Sequence, residues 1–326
     1  MGAAMLKFVV AAGMMVITGL INIPATQAQN YPTKPVRVFV TSTAGGPLDV
    51  FTRLITNKME QQLKQPFVVE DRAGAGGHLA VTATMQAPPD GYTILFSIDT
   101  TFTVNPSLFK QIPFDPDKDF IPVSVLAKFG QALGVPPSLP VNSVKELQAL
   151  SLQRDINYGS AGIGSPSHLS FAYLQAVTGI RATHIPYRGN PPTLLALVGG
   201  DTQASMVIST SLLPLAKEGK VKMLAFSDTT RSEVIPAVPT VAEQGYPDFQ
   251  VVFSYVLLVP KGTPQHVIDI LLSEATKAVM SPDVRDKLKA VDTVPIALSP
   301  SDSVVWLRTN RQKWKDVITR MNIIAE

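Results

Sequence analysis

The sequence predicts an α/β protein built as two lobes, with a mostly parallel sheet in each. Three observations carry this reading. Apolar strand-like runs alternate with helix-period segments along most of the 326 residues, the pattern of βα units. The alternation comes in two series, the second beginning after about residue 130. Each series holds a glycine-rich turn that leads from a strand into a helix, at 41–46 and at 160–167.

Taken in order, the chain opens with "MGAAMLKFVVAAGMMVITGLINIPATQAQN". A single charge, Lys7, precedes an apolar run from Phe8 to Ile21, and small residues follow at Thr26 and Ala28. That is the layout of a secretory signal peptide over 1–28, cleaved after Ala28. Asn22 and Pro24 end the run short of a spanning helix. The mature chain is therefore expected in the periplasm. "VRVFV" (36–40) reads as the first strand, and Val50, Phe51, Leu54, Ile55, Met59 and Leu63 mark one face of the first helix. Pro66 ends that helix. "FVVED" (67–71), "HLAVTATMQA" (78–87) and "YTILFSI" (92–98) continue as strand, helix and strand. The second series runs "INYGSAGIGSPSHLSFAYLQAVTG" (156–179), "ATHIPYRG" (182–189), "PPTLLALVGG" (191–200), "TQASMVIS" (202–209) and "VKMLAFS" (221–227). "QVVFSYVLLVP" (250–260) is a strand, and Thr263 with Pro264 reads as the cap and first turn of the next helix. Trp306 and Trp314 lie on one face of a C-terminal helix and are read as core. Chain crossings are expected near 126–135 and 250–256, so that one lobe comprises 29–128 plus 254–326 and the other 129–253.

Composition narrows the function. The formal charge of +3 falls to +2 once Lys7 is removed with the leader, and basic residues are dispersed, so nothing argues for nucleic acid. There is no cysteine, which removes disulfides, thiolate metal sites and a cysteine nucleophile. The four histidines, His78, His168, His184 and His266, have no metal-ligand spacing, and no G-x-S-x-G elbow occurs. Neither a metal nor a cofactor is called for. The turn "AGGPLD" lacks the lysine and hydroxyl of a phosphate loop, and "AGAGG" (73–77) leads to no ribose-binding acid. Such turns still expose backbone N–H groups at a helix start, which favours an anion, carboxylate included. Two of them, one per lobe, can clamp one carboxylate; ordinary βα turns are the competing reading. His168 either lines the cleft or packs beside the second turn. Asp49 either serves as a base or, more simply, stabilises the first helical turn.

The chain resembles the Bug-type extracytoplasmic solute receptors of tripartite tricarboxylate transporters. The resemblance rests on "PFVVEDRAGAGG" (66–77), "APPDGYTILF" (87–96), "PFDPDKDFIPVS" (113–124), "NYGSAGIGSPSHL" (157–169), "HIPYRG" (184–189), "VPTVAEQGYPDF" (238–249), "PKGTP" (260–264) and "SPDVRDKL" (281–288), in that order. It implies a type II, flytrap-like periplasmic binding protein: a monomeric receptor without enzymatic activity that passes a small organic carboxylate to membrane permease subunits. It also implies that the ligand is held by Ser42, Thr43, Ala44, Gly45 and Gly46 of the first loop and by Ser160, Ala161, Gly162, Gly164, Ser165 and Ser167 of the second. His168 stands beside them, and "DTTFTVN" (99–105), with Thr101 and Phe102, faces the cleft.

Three positions depart from the family pattern. The common GGGTD is here Gly45-Gly46-Pro47-Leu48-Asp49, a common histidine is Phe102, and a common aspartate is Val207. All three changes remove polarity. Burying them against a ligand at roughly 25 cal/mol per Å² favours an apolar ligand body, and Phe102 is placed to stack on a ring. The expected ligand is therefore an aromatic mono- or dicarboxylate of phthalate or benzoate type, with an aliphatic dicarboxylate as the alternative. A sensor module or an exported hydrolase using Asp49 or His168 are the rival functions.

Overall fold

The computed structural model describes residues 31–324. The leader expected over 1–28 lies outside the described residues. Among the described residues no helix is long and apolar enough to cross a membrane.

β1 (Val36–Val40) leads to α1 (Pro47–Leu63), which starts at Pro47 after an extended Gly46 and stops where Lys64 turns left-handed. Proline suits the first helical position because its missing N–H would be unpaired there anyway. The buried face of α1 is Leu48, Phe51, Ile55 and Met59, while Val50 is 57 % exposed. The apolar stripe is therefore rotated from the one expected, with Leu48 inside in place of Val50. Burial of Phe51, Ile55 and Met59 contributes about 1.5–3 kcal/mol each. β2 (Phe67–Asp71), α2 (His78–Met85), β3 (Thr93–Ile98) and two single-turn helices, α3 (Thr100–Thr103) and α4 (Asn105–Leu108), follow. β4 (Phe120–Gly130) ends one residue before β5 (Ala132–Val135), yet the two strands belong to different sheets.

The second lobe continues with α5 (Val144–Ser151), β6 (Asn157–Ser160), α6 (Pro166–Thr178), β7 (Thr183–Pro186), α7 (Asn190–Gly199), β8 (Ala204–Val207), α8 (Ser209–Lys217) and β9 (Lys222–Phe226). The chain returns through β10 (Val252–Pro260), every residue of which is buried. It closes with α9 (Gln265–Met280), α10 (Pro282–Ala290), β11 (Thr293–Pro295) and α11 (Pro300–Arg320). Helix α9 begins after Pro264 with no side-chain cap. Thr263, expected as that cap, instead donates its hydroxyl to the Pro260 carbonyl at 2.8 Å.

The first sheet has the order β11-β4-β10-β3-β1-β2 and the second β7-β6-β8-β5-β9. Among the described strands β2-β1-β3 and β7-β6-β8 are parallel; β10, β4 and β11, and likewise β5, pair antiparallel. The sheets are mixed, which corrects the expectation of mostly parallel ones. The cause is the double crossing: a chain that leaves a lobe through β4 and returns through the adjacent β10 must run the other way. Both tryptophans pack in the core, as expected. Trp314 is fully buried with its ring stacked 5.6 Å from Phe253, and Trp306 donates to Ser254 Oγ at 3.1 Å.

At the crossing, Lys128 Nζ lies 2.6 Å from an Asp228 oxygen, and Gln250 Nε2 donates to the same carboxylate at 2.8 Å. Burial works against the Asp228 charge, but hydrogen bonds from Gln250 and Lys128 outweigh it and hold the carboxyl below its ordinary range. Lys313, on α11, donates to the Gln250 carbonyl and lies 4.6 Å from the centre of the Tyr173 ring of the second lobe.

Candidate carboxylate site

The first loop leaves the sheet after Val40 and enters α1 at Pro47. The Asp49 carboxylate turns back to accept from the Gly45 N–H at 2.8 Å and pairs with Arg53 at 2.7 Å. Arg53 also reaches Asp71 at 3.0 Å. Asp49 thus fixes the loop against its own helix, the structural alternative, and it is 3 % exposed. Gly46 N–H bonds to the Thr43 carbonyl at 3.1 Å. The N–H groups of Ser42, Thr43 and Ala44 meet no acceptor among the described residues. Ser42 Oγ is buried and likewise lacks a hydrogen-bond partner among them. These donors stand at the N-terminus of a 17-residue helix, where the backbone dipole favours negative charge.

Thr101 is buried against the 74–77 turn. Its hydroxyl is 3.5 Å from the Gly76 carbonyl, and it is 2 % exposed. Asn105 holds the same carbonyl at 2.7 Å. Together they fix the 74–77 turn beside Thr41, where Gly77 has φ +93 and a Cβ would sit 3.0 Å from that threonine's Cβ.

The second loop differs in a way that the sequence does not show. Three of its donors are already engaged by its own side chains. Ala161 N–H donates to Ser167 Oγ at 2.8 Å, Gly162 N–H to Ser160 Oγ at 3.2 Å, and Gly164 N–H to His168 Nδ1 at 3.1 Å. Ser165 donates its hydroxyl to the Gly162 carbonyl at 2.6 Å and caps α6 by accepting from the His168 N–H. The first loop is an open cradle, whereas the second has most of its donors engaged and leaves the N–H groups of Ile163 and Ser167 without an acceptor among the described residues. A ligand that uses the second loop must replace some of these bonds.

His168 lies flat on His184, with ring centres 3.8 Å apart, and Ser160 Oγ is 2.6 Å from His184 Nε2. Burial, then the neighbouring His184, push His168 down to about 3, and burial pushes His184 down to about 4. Both rings are neutral at physiological pH, and His168 Nδ1 is the acceptor that its contact with Gly164 requires. Nothing in the sequence places His184 at the second loop. Its contact with Ser160 depends on the parallel pairing of β6 with β7, 24 residues apart in sequence. The pair resembles a nucleophile and base, but Ser160 is fully buried and out of reach of a substrate. Asp49 and His168 belong to different loops and are each committed to a loop amide. Among the described residues no group of three or more His, Cys, Asp or Glu could hold a metal.

The three apolar departures do not gather around a ligand. Phe102 is 1 % exposed and packs in the lobe core, 5.3 Å from the Phe114 ring and 5.4 Å from that of Phe120. Val207 is fully buried among Ala132, Leu197, Leu212 and Phe226 of the other core. Leu48 is on the buried face of α1. The reason is local. α3 is a single turn whose ring side faces the sheet-and-helix core, and Val207 ends a strand buried on both faces. The inference from these side chains to an apolar, ring-bearing ligand therefore falls. On the other side of the cleft the lobes meet: Gly164 has φ +73, and a Cβ there would overlap Leu108 Cδ2 of α4. A side chain at 164 would displace that leucine.

A family model described as "Tripartite tricarboxylate transporter family receptor" matches residues 51–323. The protein BugT of Bordetella pertussis is 31 % identical over 317 residues, covering 96 % of this chain and 97 % of its own. Among solved structures, R. palustris Rpa4515 with adipate superposes with a TM-score of 0.80 at 29 % identity, covering 90 % of this chain and 99 % of that one. MatC from Rhodopseudomonas palustris with bound malate gives 0.75 at 32 % identity, covering 88 % and 100 %.

Proposed function

We propose, since the chain belongs to the receptor family of the tripartite tricarboxylate transporters, that it captures a small organic carboxylate in the periplasm and delivers it to membrane permease subunits. The observation that carries the reading is the first loop: three amide donors and a buried hydroxyl that have no partner among the described residues, at the start of a long helix. An uncompensated buried hydroxyl costs free energy that a bound oxygen acceptor recovers. A carboxylate presents two such oxygens and a full negative charge to the same donors. The second loop would close over the ligand by exchanging the Ser167 or His168 contact for a ligand oxygen.

With Phe102, Val207 and Leu48 in the cores, an aliphatic mono- or dicarboxylate takes precedence over an aromatic acid. Relatives solved with adipate and malate support that order. No arrangement in either loop supports turnover, so binding without catalysis is the function proposed. Gene deletion followed by growth on the ligand separates transport from a sensing role.

A thermal-shift panel tests the reading. It should include adipate, malate, citrate, glutamate, benzoate and phthalate, each beside its neutral amide. At about 100 times its dissociation constant a ligand stabilises the protein by about 2.7 kcal/mol, a rise of roughly several degrees at this size. The acids should stabilise and the amides should not. If the amides stabilise equally, or if the protein hydrolyses an ester while no acid binds, the receptor reading is wrong.

A further inference from the structure

The crossing strands divide the molecule into a front and a rear. In the first sheet the glycine loop follows β1, on one side of β4 and β10, whereas β11 lies on the other. In the second sheet the other loop follows β6, on one side of β5, whereas β9 lies on the other. A groove of about 710 Å³ occupies the rear side. Its walls come from both lobes: Phe129, Met280 and Val294 on one, Phe226, Thr230 and Val234 on the other.

Bonds also span the lobes behind the crossing. Asp292, 7 % exposed in the turn before β11, accepts from the Ser232 hydroxyl at 2.6 Å and from the hydroxyl of Ser209, the first residue of α8. At the rim Lys289 pairs with Glu233 at 2.6 Å, with both side chains largely exposed. Asp292 holds φ +54, a conformation that aspartate and asparagine tolerate better than most residues. At the front, Gly164 is seated against Leu108. The lobes therefore touch on both sides of the strands that join them.

We infer that this rear groove sets the balance between open and closed lobes. The inference rests on the two-lobed receptor reading, but its mechanics do not depend on the ligand. A rotation about β4 and β10 that parts the front surfaces must bring the rear walls together. The groove is the space into which they move, and Asp292 must slide past Ser209 and Ser232 as they do. Filling the groove therefore obstructs opening and holds the front cleft closed. Removing the Asp292 bonds releases the lobes to open, because shearing a buried carboxylate from its two hydroxyl donors is what opposes that motion. Ligand binds the closed arrangement better, so each change alters affinity without touching the ligand.

The cysteine-free chain allows a direct test. Spin labels on Val50→Cys in α1 and Leu195→Cys in α7, both exposed in the parent, report the interlobe distance by pulsed electron resonance after exhaustive dialysis, with no ligand added. Val294→Trp should shift the distribution toward the distance seen with saturating malate or adipate, whichever binds. Asp292→Asn combined with Ser209→Ala should shift it the other way. Dissociation constants should follow, tighter by about threefold or more for the filled groove and weaker by a similar factor for the released one. Thr230→Trp, on the opposite wall at an exposed position, repeats the filling test if Val294→Trp fails to fold. Unchanged distances, or shifts of one sign in both kinds of variant, overturn the inference. Failure of every carboxylate to bind would overturn the proposed function, while the ligand-free distances would still decide for or against the groove.

Discussion

Ala44→Asp is expected to weaken carboxylate binding by at least about 100-fold, or roughly 2.7 kcal/mol. Ala44 is exposed in the first loop, and its N–H is one of the three without an acceptor. A carboxylate on residue 44 competes for those donors and repels the carboxylate of the ligand across a short distance. Folding should be unaffected within about 0.5 kcal/mol, because the position packs against nothing that the substitution disturbs. Titration calorimetry of the parent, of Ala44→Asp and of the neutral Ala44→Asn separates charge from size. Near-parental affinity in Ala44→Asn with loss in Ala44→Asp is the expected result. Equal loss in both would assign the effect to bulk.

The second large effect is on stability and comes from Asp99. This residue follows β3, is fully buried, accepts from Ser254 Oγ at 2.7 Å and leaves Oδ1 without a hydrogen-bond partner among the described residues. Burial pushes its carboxyl from 3.8 up to about 7, only partly offset by Ser254. Between those values the folded state holds a proton that the unfolded chain has released. Stability from this group is therefore full below about pH 4, is lost as pH rises toward 7, and levels off above it. Asp99→Asn keeps the shape and removes the ionisation. Urea midpoints at pH 5 and pH 8 should show the variant gaining on the parent at the higher pH, by a few kcal/mol. His168 and His184 act in the opposite direction below about 6.5, but they are common to both proteins and cancel in the difference. A constant difference between pH 5 and pH 8 would mean that Asp99 is ionised throughout.

Much of the fold is legible in the residues themselves. The order of strands and helices follows from periodicity and from proline and glycine punctuation, and the first loop is recognisable from "TSTAGGPLD" with its helix start. The register of α1 is not: Leu48 and Val50 are both apolar but lie on nearly opposite faces, about 160° apart, and which of them turns inward follows from the helix start at Pro47. Phe102 and Val207 mislead for a related reason. On a one-turn helix or a four-residue strand buried on both faces, sequence carries no phase from which to tell core from cleft. The mixed sheets arise from the route of the chain between lobes, which leaves no periodic trace. The contrast between an open first loop and a second loop with most donors engaged depends on which loop N–H groups Ser160, Ser167 and His168 reach, which the loop conformation decides and the sequence does not show. In sequence, Asp99 belongs to a segment expected to face the cleft; only the packing of β10 and α11 around it reveals a buried acid.

In the proposed function the first loop receives a carboxylate through its free amides. Amide-resolved NMR of the deuterated protein tests it most directly. On titration with malate or adipate, the N–H resonances of Ser42, Thr43 and Ala44 should move furthest and saturate with a common dissociation constant, while the corresponding neutral diamide leaves them in place. Binding that leaves these three resonances unmoved, with the perturbations confined elsewhere, would contradict the account.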